Sequence, residues 1–261
     1  MEMINYPNGM FCWPELSAMD VQKAKSFYTQ LFAWELQESP IDEEGNVYIM
    51  LQKNGADIGA MYQGKNELEK QAMNTHWLGY VAVDDVDATV RKVEGLGGTV
   101  EINPMDVFTA GRMAVIHDPD GARLALWQGN EHQGAKIIGE TSTVCWNELA
   151  TRNVQACSKF YEGLFNWHAV TKTMENMQYT SFMLNQSVVA GMMSMTDEWN
   201  DIPSHWMTYF AVDSCDKSAE KAKSLGGEIC VPPTDIEGVG RFSVVTDPQG
   251  AVFSIIRLVA E

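Results

Sequence analysis

The chain has 261 residues and carries 35 acidic against 18 basic side chains, a formal charge of -17 at pH 7. An acidic surplus of that size repels polyanions, which excludes nucleic acid and anionic membrane as natural partners and leaves a small organic molecule as the expected one. The length exceeds one average domain and is enough for two, each able to bury a core of its own.

The first elements follow a strand, helix, strands order. Phe11 to Met19 alternates and predicts a strand; Asp20 then suits an N-cap, and Ala24, Phe27, Tyr28 and Leu31 form the apolar face of a helix that stops near Ala33. Val47 to Gln52 and Ile58 to Tyr62 predict strands joined by the tight Lys53-Asn54-Gly55 turn. The order then restarts with a strand at Trp77 to Val83 and a helix capped by Asp84 or Asp85 that runs through Glu94 to a Gly97-Gly98 stop. Strands at Thr99 to Ile102, Arg112 to Ile116 and Ala122 to Trp127 complete the unit, the last two flanking the turn Asp118-Pro119-Asp120-Gly121.

The same series then recurs. Phe11 to Trp34 matches Val144 to Trp167 with 11 identities in 24 positions at an offset of 133, and His76 to Val100 matches His205 to Ile229 with 11 in 25 at an offset of 129. Self-similarity this long means repeated structural units. Domains are therefore expected at 8–128 and 141–258, with the Gly-rich, polar stretch 129–140 as linker. No run reaches the ~18 apolar residues of a membrane span, and Met1 to Phe11 lacks the pattern of a secretion leader, so a cytoplasmic protein is expected. Five cysteines without a Cys-x-x-Cys pair predict reduced thiols rather than a disulfide framework.

The run from Asp20 through Phe27-Tyr28 and Leu31-Phe32 to Trp34, the Leu-Gly-Gly helix end and the Asp-Pro-x-Gly hairpin occur in order, twice, with Asn153 replacing the aspartate in the second copy. In these motifs the chain resembles the glyoxalase/bleomycin-resistance/extradiol-dioxygenase (vicinal oxygen chelate) superfamily over about 230 residues. The resemblance implies an α+β fold, two tandem domains each made of a pair of β-α-β-β-β modules curled into a half-open barrel around a cavity. It implies lyase, isomerase, dioxygenase or purely binding activities. Metal-using members place His, Gln or Glu on the first strand of each module and Glu on the last. Here those slots fall on Trp13, Leu78 and Ala125, and in the second copy on Trp146, Met207 and Ser254. None is a ligand suited to a divalent ion, so no metal or other cofactor is expected.

Two polar residues recur beside those slots, Glu15 with Glu148 and His76 with His205. Residues two apart on a strand share a face, so each glutamate should project beside its tryptophan, and each histidine beside Leu78 or Met207, into one cavity. The expected arrangement is a Glu–His contact, direct or through one water, with a histidine pKa raised unless burial opposes the rise. It would serve as a structural bond, as a ligand contact or acid/base pair, or as a displaced site for a divalent metal. Trp13, Tyr80, Arg112, Trp146, Tyr209 and Arg241 are the candidate ligand-binding residues. For the two arginines, ion pairs with Asp106 and Asp235 are the competing outcome.

Overall fold

The computed structural model describes residues 2–40, 47–64, 75–174 and 177–259. In the first half the elements are β1 (Phe11–Ala18), α1 (Val21–Phe32), β2 (Glu35–Pro40), β3 (Val47–Lys53), β4 (Ala56–Gln63), β5 (His76–Ala82), α2 (Val86–Val93), β6 (Thr99–Val107), β7 (Gly111–His117) and β8 (Arg123–Gly129). The second half repeats them as β9 (Val144–Thr151), α3 (Val154–Phe165), β10 (His168–Met174), β11 (Met177–Leu184), β12 (Ser187–Ser194), β13 (His205–Ala211), α4 (Cys215–Ser224), β14 (Glu228–Ile236), β15 (Gly240–Thr246) and β16 (Val252–Leu258). Each half forms one eight-stranded mixed sheet, ordered β2-β3-β4-β1-β5-β8-β7-β6 and β10-β11-β12-β9-β13-β16-β15-β14. The two strand orders are identical, as the repeat requires.

Local chemistry sets the boundaries. Asp20 accepts from the Gln22 and Lys23 amides and starts α1, which Ala33 ends in the left-handed region at φ 58. Asp85, not Asp84, caps α2, and Gly97 at φ 94 closes the 3-10 turn that follows it. β2 was not expected, and β6 runs five residues past its expected end. Both carry a proline and are largely exposed, so neither shows the apolar alternation of a half-buried strand.

The halves do not bury their helices alone. One core joins α1, Leu16, Ile49 and Met61 of the first half to Phe210, α4, Phe253 and Ile255 of the second. A matching core joins Val81, Val86, Ile116 and Leu126 to α3, Phe182 and Met192. The expectation that each half holds a core of its own is corrected: the first module of each half packs on the second module of the other.

The repeated motifs supply this junction. Trp77 Nε1 donates to the Tyr28 hydroxyl (3.0 Å), which donates to Asp247 (3.0 Å). Trp206 Nε1 likewise donates to Tyr161 (2.8 Å), which donates to Asp118 (3.0 Å). The third residue of each Asp-Pro-x-Gly turn crosses over as well: Gln249 accepts from the Asp20 amide (2.7 Å), and Asp120 accepts from Thr151 Oγ1 (2.6 Å).

Candidate functional site

The face of each sheet turned away from the helices carries a separate aromatic cluster, called here a cup. In β1, residues Trp13 and Glu15 face inward, and in β5 the same face carries His76, Leu78 and Tyr80, because Glu15 lies opposite Leu78 in the antiparallel register. Trp13, Leu78, Tyr80, Val115, Ala125 and Trp127 line the first cup. Trp146, Met207, Tyr209, Phe242, Val244 and Ile256 line the second.

Each cup holds one carboxylate between two phenols. Tyr48 donates to Glu15 Oε1 (2.6 Å) and Tyr80 to Oε2 (2.6 Å), while Trp13 Nε1 reaches the Tyr48 hydroxyl at 3.3 Å. In the second cup Tyr179 donates to Glu148 Oε2 (2.7 Å) and Tyr209 to Oε1 (2.7 Å). Burial raises the pKa of both glutamates, and the phenol hydrogen bonds oppose the rise. A carboxylate that accepts from two donors and gives none is satisfied in its ionised form. Backbone space is shaped to fit: a Cβ on Gly191 would stand 2.1 Å from the Tyr179 hydroxyl.

The expected Glu–His contact is replaced by these Glu–Tyr pairs. Arg123 Nη1 lies 2.6 Å from His76 Nε2. Arginine only donates, so that nitrogen accepts and carries no proton. His205 directs Nδ1 at the Pro203 carbonyl (2.8 Å), and burial lowers its pKa in place of a carboxylate partner raising it. Both histidines share the strand face of the cup residues, where His76 meets Arg123 and His205 meets the Pro203 carbonyl.

Arg112 and Arg241 lie on the outer faces of β7 and β15, away from the cups. Arg112 pairs with Asp87 (2.7 Å) and Asp106 (2.8 Å), and Arg241 with Asp216 (2.8 Å) and Asp235 (3.1 Å). The ion-pair outcome therefore holds for both, with a helix carboxylate added to the one anticipated. Trp13, Tyr80, Trp146 and Tyr209 do lie in the cups. Tyr48 and Tyr179 were missed.

The cups differ in two ways. In the first, Arg123 forms a bidentate pair with Glu101 (2.7 and 2.9 Å), and His117 joins it at 2.9 Å. At the equivalent positions the second half has Val252, Cys230 and Thr246. The first cup is also closed by the segment after β8. His132 stands edge-on to Trp13 with ring centroids 4.6 Å apart, its carbonyl accepts from Trp127 Nε1 (2.8 Å), and Ala135 N donates to Cys12 (2.8 Å). Trp13, Glu15, Val115 and Trp127 are consequently buried, whereas Trp146, Glu148, Tyr179, Phe242 and Val244 keep partial exposure. A cleft of about 710 Å³ also opens between the halves, walled by Phe11–Pro14, Val144–Asn147 and Ser187–Val189. Among the described residues, its lining includes no carboxylate or imidazole.

A divalent metal, as used by many such folds, does not fit this donor set. The slot residues Trp13, Leu78 and Ala125 supply no ligand, both oxygens of each glutamate are held by phenols, and among the described residues no group of three His, Cys, Asp or Glu side chains converges.

The chain belongs to the Glyoxalase/Bleomycin resistance protein/Dioxygenase superfamily, which it matches over residues 12–126 and 132–255. It is 40% identical over 256 residues to a Mycobacterium tuberculosis protein named "Putative glyoxylase CFP32", covering 97% of this chain and 96% of that one. It is 30% identical over 267 residues to the anthracycline biosynthesis protein DnrV of Streptomyces peucetius, covering 98% and 96%. The Mn(II)-bound glyoxalase of Novosphingobium aromaticivorans shares the fold, with a TM-score of 0.66 at 17% identity over 96% of this chain and 82% of that one. No helix among the described residues is long and apolar enough to cross a membrane.

Proposed function

We propose that the protein binds a small organic molecule in the cup of one or both halves, without the metal site of its metal-using relatives. The observation that carries this reading is the carboxylate held between two phenols in an aromatic-walled cup, built twice from the same strands. Burying a carboxyl group on an apolar wall costs stability, more so when it is ionised, so its presence in both cups points to a use. Convergent polar groups on an apolar concave wall are the usual make-up of a ligand site. Similarity to a protein of anthracycline biosynthesis supports an organic metabolite as the occupant.

The competing reading is a metal-dependent lyase, isomerase or dioxygenase that recruits Glu15 with His76 and Glu148 with His205. The hydrogen bonds of Glu15 and the acceptor role of His76 speak against it. A thermal-shift screen of small organic molecules on protein purified without chelator tests the two together. The binding reading expects a metal-independent rise in melting temperature that Glu148→Gln or Glu15→Gln removes. A rise that requires an added divalent ion supports the enzyme.

A further inference from the structure

We propose that the second cup is the binding site for an organic cation, a protonated or quaternary amine carrying an aromatic or alkyl body, with Glu148 as its counter-ion. This rests on the reading of the cups as ligand sites and assigns the ligand's charge.

The charge inventory of the two cups differs at one place that matters. In the first cup Arg123 lies close enough to stabilise the charged form of Glu15 and is itself held by Glu101. In the second cup Val252 occupies the place of Arg123. No ion pair joins another basic residue to Glu148 among the described residues. Arg241 is held by Asp216 and Asp235 on the outer face, and Lys172, across the ladder from Tyr179, is exposed and forms no ion pair with Glu148. His205 is kept neutral by burial. Among the described residues, Glu148 is thus held by the Tyr179 and Tyr209 phenols and the Trp146 side chain, with no internal cation paired to it.

The walls and the opening suit a cation as well. Tyr179, Tyr209 and Trp146 hydrogen-bond the carboxylate and Phe242 packs beside Tyr209, an aromatic wall of the kind that attracts an ammonium group. In a low-dielectric cup, an ammonium brought beside Glu148 gains far more Coulomb energy than it would at the surface. Ser254 Oγ lies buried beside the Tyr209 hydroxyl in the same cup, and its oxygen offers an acceptor for an N–H donor. The cup is reached from solvent, whereas His132 closes its counterpart. The net charge of -17 steers cations toward the protein at long range.

The test titrates the full chain with benzylamine and benzyl alcohol by calorimetry at neutral pH, a pair of similar shape that differs in charge. Benzylamine should bind the wild type about tenfold or more tightly than the alcohol. Glu148→Gln should remove that preference while the alcohol still binds. Val252→Arg, which gives the second cup the internal cation of the first at an exposed position and leaves Glu148 in place, should remove it too. Glu220→Gln, an exposed carboxylate on α4, should preserve it. Equal affinity of the two probes overturns the cation assignment and leaves the cup standing as an organic-molecule site. A preference that survives both Glu148→Gln and Val252→Arg overturns it as well. Failure of both probes to bind overturns the assignment, and with a negative library screen it also removes the broader reading.

Discussion

At the scale of single residues, the pairing of Glu15 and Glu148 with tyrosines explains what the sequence could and could not reveal. Glu15, Tyr80 and their copies sit in blocks that align without gaps, so their recurrence was visible. Tyr48 and Tyr179 lie at an offset of 131, between the blocks at 133 and 129, on strands that otherwise share little. Carrying the change of offset through the intervening hairpins is the signal that would have found them. Gly191→Ala tests how tightly the second cluster is built. Its Cβ would collide with the Tyr179 hydroxyl, so Tyr179 should leave Glu148 and ligand binding should fall at least several-fold with the fold retained, as read by calorimetry alongside circular dichroism.

The Glu101–His117 pair gives a pH prediction. Its hydrogen bonds to His117 and Arg123 bring Glu101 down to about 2, and the same carboxylate raises His117. A depressed carboxylate contributes stability that is present above its unfolded value, about 4.3, and lost as pH falls toward 2. A raised imidazole contributes stability that is present below about 6.5 and lost as pH climbs through its folded value. The pair therefore stabilises most between those limits. Histidine titration by NMR should place His117 above about 6.5, and Glu101→Gln should return it to that value or lower; an unshifted His117 in the wild type would contradict the pairing.

At the scale of elements, helices and inner strands were legible because capping and apolar spacing act locally. The turns Asp118–Gly121 and Asp247–Gly250 were recognised as turns, but their first aspartates accept tyrosine hydroxyls from the opposite half. No local pattern announces a partner 219 residues away. Tyr28→Phe keeps the ring packing, deletes the link between Trp77 and Asp247, and leaves Asp247 short of a donor. It should destabilise the protein by about 1–3 kcal/mol in chemical denaturation, with little change in m-value. Tyr161→Phe should behave alike, since Trp206 and Asp118 repeat the arrangement.

At the scale of the molecule, duplication was plain in the sequence but the exchange of packing partners was not, because a repeat shows which residues correspond and not which half each one packs on. Phe32 meets Phe210 at 5.1 Å between ring centroids, and Phe11 meets Trp206 at 5.0 Å, so either half alone exposes much of a core. Residues 1–135 expressed alone should aggregate, dimerise or stay unfolded. A monomeric, cooperatively unfolding fragment in sedimentation and thermal melts would contradict the shared cores.

The central claim is that the carboxylate–phenol cups receive the ligand. Its most direct measurement is a crystal structure of the protein with the organic molecule that raises its melting temperature most. The account predicts density in a cup, against Glu148 with Tyr179 and Tyr209 or against Glu15 with Tyr48 and Tyr80. Density confined to the cleft between Phe11–Pro14 and Val144–Asn147, or a metal ion ligated by Glu15 or Glu148, would contradict it.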